Sequence, residues 1–373
     1  MKLLNIQIPA FSVFIILAIC IPEVGALQKI KKSEIVKIGL LIPDNKSVAA
    51  KNGAEMAIRK ANENGGLNGR PFQLVVRSME GPWGTGSKQA VDLIFDEEVW
   101  ALVGSHDGRN AHLVEQVATK ARIVFLSAWA SDPTLSQAFV PWYFSCVPND
   151  LQQSNTLIEE IYNKRKFNKI ATLSDSSYDS NLARKSFIKK TKSAGKKDPL
   201  QFFCDNTSQD FNNLLDQVNK KDIDCIILFG QPSSSAKFIE QMRIKKINIP
   251  VFGSLALLDE NQLSDQKLKN FEGVVFVSSG FWLSPEYSTF RDEYQRTYTK
   301  MPGAVSAYAF DGVTSIIKAI RNAGTDRDKI LKSLKEIKFD GVTGKIRFDD
   351  KGNRLGASGL MEIENGIQVP VER

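Results

Sequence analysis

The 373-residue sequence predicts an α/β protein made of two similar lobes. Two observations carry this. Short apolar strands alternate with amphipathic helices along nearly the whole chain, the pattern of parallel sheets covered by helices. The same alternation restarts after Pro148, with no Pro-, Gly- or Ser-rich linker and no low-complexity stretch between the halves.

In the first half, 36–42 reads as a strand, VKIGLLI, and 53–63 as a helix on the spacing of Ala54, Met56, Ala57 and Ala61, ended by Gly65-Gly66. Strand 72–77, helix 88–95, strand 100–104, helix 112–121 and strand 123–127 follow, giving one lobe of roughly 110 residues, a usual domain size. In the second half the helices are 155–162, 182–192, 211–218 and 236–244, interleaved with strands 169–174, 200–204, 223–230 and 250–253. Strand 273–278 and helices 286–299 and 306–323 come next. The end differs: 344–348 and 359–364 alternate like a β-meander, with Asp349-Asp350-Lys351-Gly352 as its turn.

The first 26 residues read as a secretory signal. Lys2 gives a positive start, an apolar run fills 11–21, and Pro22 precedes small residues at Val24-Gly25-Ala26, so the mature chain is expected to begin at Leu27. The run is shorter than the roughly 20 residues that span a bilayer. Lipid anchoring at Cys20 is the alternative, against which Ile19 stands, because such signals want a small residue before the cysteine. The expected location is the periplasm.

Cys146, Cys204 and Cys225 then remain. An odd number cannot all pair, and a chain this long is stable without disulfides. Cys204 and Cys225 either pair with each other or stay as buried free thiols. No metal-ligand spacing occurs, and His106 and His112 are the two imidazoles. The net charge of +7 comes largely from lysines such as Lys189, Lys190 and Lys192, set on helical stretches as a solvated face. Without aromatic or Gly-rich residues beside that charge, nucleic-acid binding is not expected. An enzyme is not expected either: no Gly-x-Gly-x-x-Gly follows Gly39, and neither a phosphate loop nor a nucleophile elbow is present. No cofactor is implied.

Three stretches occur in a telling order. Asn52-Gly53-Ala54 runs through Ala61-Asn62-Glu63 to Gly65-Gly66-Leu67-Asn68-Gly69-Arg70. Lys88-Gln89-Ala90 precedes Ala101-Leu102-Val103-Gly104, and Gly341-Val342-Thr343-Gly344-Lys345-Ile346 precedes Phe348-Asp349 and Gly352. Together they resemble the type I periplasmic binding proteins of the leucine/isoleucine/valine-binding group, over essentially all of the mature chain. The resemblance implies two doubly wound parallel-sheet lobes joined by three crossing strands, lobe one at 34–146 plus 277–338 and lobe two at 147–276 plus 339–373. It implies a ligand between the lobes, beyond the carboxyl ends of strands, hinge closure around it, and delivery by a monomeric receptor to an inner-membrane ABC permease. Presentation of the bound state to a membrane sensor is the alternative.

Site candidates lie at strand-to-helix junctions. The loop Ser105-His106-Asp107-Gly108-Arg109 opens a helix, where backbone N–H groups and the helix dipole suit a carboxylate; the resemblance gives this loop that grip, and Asp107 or Asn110 also suits an N-cap. At the next junction Ser131 falls where the resemblance places a hydroxyl bonding both ends of an amino-acid backbone, with Trp129 and Ala130 beside it. Tyr178 matches an aromatic that closes over the ligand from lobe two. One departure concerns Ser254-Leu255-Ala256, which occupies the place of an ammonium-holding acid; Leu255 offers an apolar wall instead, and Asp44 or Asp107 is the candidate replacement. A buried ammonium without a counter-charge costs several kcal/mol. The ligand expected is a small organic acid, amide or aromatic acid with a polar head and an uncharged body, ahead of a branched-chain amino acid.

Overall fold

The computed structural model describes residues 35–371 except 138–139, 206–209, 264–267, 279–283 and 357. The leader reading, including Cys20 and Leu27, lies outside the described residues. Among them, no helix is long and apolar enough to cross a membrane.

Lobe one is built on a five-stranded parallel sheet of order β2-β1-β3-β4-β5, with β1 Val36–Ile42, β2 Phe72–Ser78, β3 Leu102–Gly104, β4 Phe125–Ser127 and β5 Tyr143–Ser145. Its helices are α1 Val48–Glu63, α2 Thr85–Val91 running into a π turn at Asp92–Asp96, and α3 Gly108–Lys120. Lobe two carries β6 Ile170–Ser174, β7 Leu200–Phe203, β8 Cys225–Leu228, β9 Val251–Gly253 and β10 Val274–Ser278, with helices α4 Asp150–Ile158, α5 Tyr178–Ser193, α6 Asn212–Lys220 and α7 Pro232–Ile244. Its sheet is β14-β13-β10-β9-β8-β6-β7, in which β13 Gly359–Glu364 and β14 Ile367–Pro370 add antiparallel strands at one edge. The chain then returns to lobe one as α8 Pro285–Tyr298, α9 Ala304–Ala323 and α10 Arg327–Glu336.

Burial explains why these strands were readable. Helices cover both faces of each sheet, so β3, β4, β6, β8 and β10 are buried at every position and appear as continuous apolar runs. The Gly53 motif also has a physical cause. A Cβ there would lie 2.0 Å from the Ser306 carbonyl oxygen, so α1 and α9 meet backbone to backbone through a glycine.

The meander reading is corrected. Residues Gly344–Ile346 (β12) pair with β11 Phe339–Gly341 in a separate two-stranded sheet, whereas β13 pairs with β10 and β14. Alternation marks a half-buried strand without saying which neighbour it takes. The turn at 349–352 is present, the Gly352 N–H donating to the Asp349 carbonyl at 3.0 Å, but it closes on a bridge between Phe348 and Arg354 rather than joining two strands.

The Gly341–Gly344 motif lies where the chain crosses between lobes. The buried Asp311 of α9 accepts the Val342 and Thr343 N–H groups at 2.9 and 2.8 Å. Arg354 donates to the Cys146 carbonyl and the Thr343 hydroxyl, both at 2.8 Å, and to the Thr343 carbonyl at 2.7 Å. Each buried charge therefore has hydrogen-bond partners, as interior charges require. Cys146, Cys204 and Cys225 are free thiols.

Candidate functional site

The carboxyl ends of the two parallel sheets face each other, and the side chains at their strand-to-helix junctions meet. On lobe one, α3 starts at Gly108 with Asp107 as its N-cap; the Asp107 carboxylate accepts the Asn110 backbone N–H at 2.8 Å and its side-chain amide at 2.9 Å. The Gly108 N–H does not turn to its own cap. It donates to Asp179 Oδ1 at 3.0 Å, a carboxylate from the start of α5 in lobe two. A Cβ at Gly108 would lie 2.8 Å from Asp132 Cβ and 3.1 Å from Asp179 Oδ1, so glycine is what lets both acids approach.

Asp132 is the second meeting point. It is buried on lobe one and accepts from His112 Nε2 at 3.0 Å, from the Thr134 backbone at 2.7 Å and hydroxyl at 2.6 Å, and from the Tyr178 hydroxyl of lobe two at 3.0 Å. Hydrogen bonds to Asp132 and then Glu115 push His112 up to about 9, so it is a cation at neutral pH. Burial opposes ionisation of Asp132, but His112 and the Thr134 and Tyr178 donors outweigh it and hold the carboxyl below its usual range. Burial first, then the Asp107 charge, push Asp179 up to about 7. Asp150, at the start of α4, is pushed far up by burial.

The other candidates have these places. Ser131 hydrogen-bonds the Asp150 carboxyl, and its carbonyl accepts the Asp150 N–H at 2.8 Å. Ala130 is buried and donates its N–H to Ser127 Oγ at 3.0 Å. Trp129 packs on Tyr308 with ring centroids 6.3 Å apart. Arg109 lays its guanidinium 4.2 Å from the exposed Trp83 ring. Tyr178 is the first residue of α5 and bridges to Asp132. Of these, Arg109 and Tyr178, with Trp83, Asp107, Asp179 and Gln231, border a cleft of about 460 Å³ at the lobe junction.

Four candidates sit elsewhere. His106 is buried and stacks on Phe125 at 6.0 Å, Ser105 is buried behind it, and burial pushes the His106 imidazole down, so it is neutral. Leu255 is buried, its N–H donating to Gln153 Oε1 at 2.9 Å. Asp44 accepts the Lys46 and Ser47 N–H groups at 2.7 and 2.9 Å, forming the turn before α1.

Sequence reasoning missed Asp132, Asp179, His112, Glu260 and Asn261. Glu260 follows a 3-10 turn at Leu255–Leu258 that packs on α7 and β10 of lobe two. Its carboxylate crosses to lobe one and accepts the N–H groups of Gly303, Val305 and Ser306 at 3.1, 2.7 and 2.7 Å, capping α9. Beside it, Asn261 Oδ1 accepts the Ala49 N–H of α1 at 3.2 Å. Three lobe-one helices thus begin on acceptors supplied by lobe two. Neither α1 nor α9 has a side-chain hydrogen bond from its own N-cap, so orphan donors at both starts are satisfied from lobe two, which no local pattern in the sequence signals.

The family model described as periplasmic binding protein matches residues 35–365. The Leu/Ile/Val-binding protein homolog 1 of Brucella abortus (strain 2308) is 23% identical over 310 residues, 81% of each chain. Among solved structures, the Streptococcus pneumoniae substrate-binding protein LivJ in complex with isoleucine aligns with a TM-score of 0.79 at 22% identity, covering 90% of this chain and 97% of that one. A solute-binding protein from R. palustris in complex with benzoate aligns with a TM-score of 0.78 at 18% identity, covering 90% and 95%.

Proposed function

This chain belongs to the periplasmic binding protein family, and we propose that it captures one small carboxylate-bearing molecule with an apolar body between its lobes. It is an extracytoplasmic solute-binding protein, not an enzyme. The observation that carries the ligand reading is the cleft itself: Gly108 and Asp132 of lobe one meet Asp179 and Tyr178 of lobe two beyond the strand ends, where open parallel sheets bind ligands. The α3 start supplies a backbone donor and a helix dipole for an anion. Tyr178 lines that cleft and supplies an apolar wall, and Trp129 and Ser131, at the neighbouring strand-to-helix junction, are the further contacts of this reading. Isoleucine and benzoate, bound by the two solved relatives, share a carboxylate on an apolar body.

The proposed boundaries are 34–146 plus 277–338 for lobe one and 147–276 plus 339–373 for lobe two. A monomeric chain, exported on a signal cleaved after Ala26, closes on its ligand and hands it to an inner-membrane ABC permease. The test is a thermal-melt screen of small carboxylates, amino acids and amides. At a hundred-fold excess over Kd a true ligand adds about 2.7 kcal/mol, so a narrow set of hits is expected. A flat screen would overturn the capture reading.

A further inference from the structure

We propose that Asp179 is a specificity-determining residue: its carboxylate competes with the ligand's carboxylate for the backbone donor at the start of α3, and so sets which anions the cleft accepts. This rests on the carboxylate-capture reading above and deepens it.

Position is the first argument. Asp107 already caps α3 with both oxygens on Asn110, so the Gly108 N–H is the donor left facing the other lobe. The acceptor it meets is a carboxylate oxygen at 3.0 Å, the group a carboxylate ligand would bring. Gly108 keeps the approach open, because a Cβ would press on Asp132 and Asp179.

The second argument is how weakly Asp179 holds that position. The charged and titratable groups around it are Asp107 and Arg109 at the start of α3, Asp132 after β4, Asp150 at the start of α4, Asp175 after β6 and Tyr178 at the start of α5. The nearby cations are committed elsewhere: His112 to Asp132 and Glu115, Arg109 to the Trp83 ring. No ion pair to Asp179 is found among the described residues. Its carboxyl, pushed up to about 7 by burial and Asp107, is only part ionised at neutral pH. A free ligand carboxylate, with an ordinary pKa near 4, is fully ionised there. The ligand's carboxylate then takes the Gly108 N–H, and Asp179 leaves carrying a proton taken up from solvent. Raising the pH strengthens Asp179 as the competitor and weakens the ligand.

The experiment is calorimetric titration of the full chain with benzoate, L-isoleucine and L-leucinamide at pH 6 and 8, for wild type and Asp179→Asn. The Gly108 amide resonance is followed by NMR through the same range as a check on geometry. In wild type the Gly108 amide should titrate near pH 7, and carboxylate affinity should fall about tenfold from pH 6 to 8. In Asp179→Asn the amide should not titrate, and carboxylate affinity should be pH-independent and higher at pH 8 by about tenfold. L-leucinamide, lacking a carboxylate, should gain nothing from the substitution. A Gly108 amide that does not titrate overturns the proposal. So does weaker binding of all probes by Asp179→Asn, which would make Asp179 a direct ligand contact, and so does an equal response of the two proteins, including none at all. The capture reading fails separately, only where no small molecule of any class stabilises wild type.

Discussion

Two lobe-two carboxylates cross the cleft and end on lobe-one helix starts, yet they are built differently. Glu260 accepts three backbone N–H groups at the start of α9, those of Gly303, Val305 and Ser306. Asp179 accepts one, from Gly108, and borders the cleft. Both are pushed up to about 7, mainly by burial. Donor number and access separate a structural latch from a displaceable occupant: three short bonds to one carboxylate leave a ligand nothing to gain by replacing it, and a single bond beside open volume does.

The largest effect should come from Glu260. Glu260→Ala leaves the α9 start without its charged acceptor and should cost about 2–3 kcal/mol in urea unfolding; a loss below about 0.5 kcal/mol would erase the distinction from Asp179. The sign with pH follows from the raised carboxyl. Its folded value of about 7 lies above the ordinary value near 4.3, so the folded chain holds the extra proton between them. The associated stability is fully present below about 4.3 and is lost as pH rises through 7. Glu260→Gln should flatten this slope.

Next in size is His112. Its pKa of about 9 exceeds the unfolded value near 6.5, so its contribution is full below 6.5 and lost as pH rises through 9. His112→Phe should cost about 1–2 kcal/mol at pH 7, after discount for its partial exposure, with little loss at pH 10. An equal loss at both pH values would assign the effect to packing rather than charge.

Tyr178→Phe removes the hydroxyl that donates to Asp132 across the cleft. About 1 kcal/mol is at stake, so ligand affinity should fall roughly fivefold while unfolding of the chain changes less. Smallest is Trp83→Ala. The ring is exposed and stacks on Arg109, so affinity should change by about 0.5–1 kcal/mol at most. A larger loss would show Trp83 covering the ligand directly.

Much of the fold was legible because buried parallel strands are continuous apolar runs; 36–42, 72–77 and 169–174 were read almost residue for residue. Helix starts were read late, at 112 for Gly108–Lys120 and 182 for Tyr178–Ser193, because Gly108-Arg109-Asn110 and Asp179-Ser180-Asn181 are polar or small and carry no apolar spacing. Four elements were missed, among them the short strands Phe339–Gly341 and Ile367–Pro370. Tyr143–Ser145 is only three residues long, and Arg327–Glu336 buries only Ile330 and Leu334, although Asp326 as N-cap was a usable signal. At the site, Gly108 and Tyr178 were readable as junction residues. Asp132, Asp179 and Glu260 were not, because each acts on a partner 46, 71 or more than 40 residues away, and such pairing has no local signature.

Closure of the two lobes on a small carboxylate is tested most directly by a distance measurement. Spin labels at Lys120→Cys on lobe one and Lys189→Cys on lobe two, both exposed helix positions, report the separation by pulsed electron resonance. Adding the carboxylate that scores best in the melt screen should collapse the distribution to one short, narrow distance. An unchanged distribution under a saturating ligand that measurably stabilises the chain would contradict capture by lobe closure.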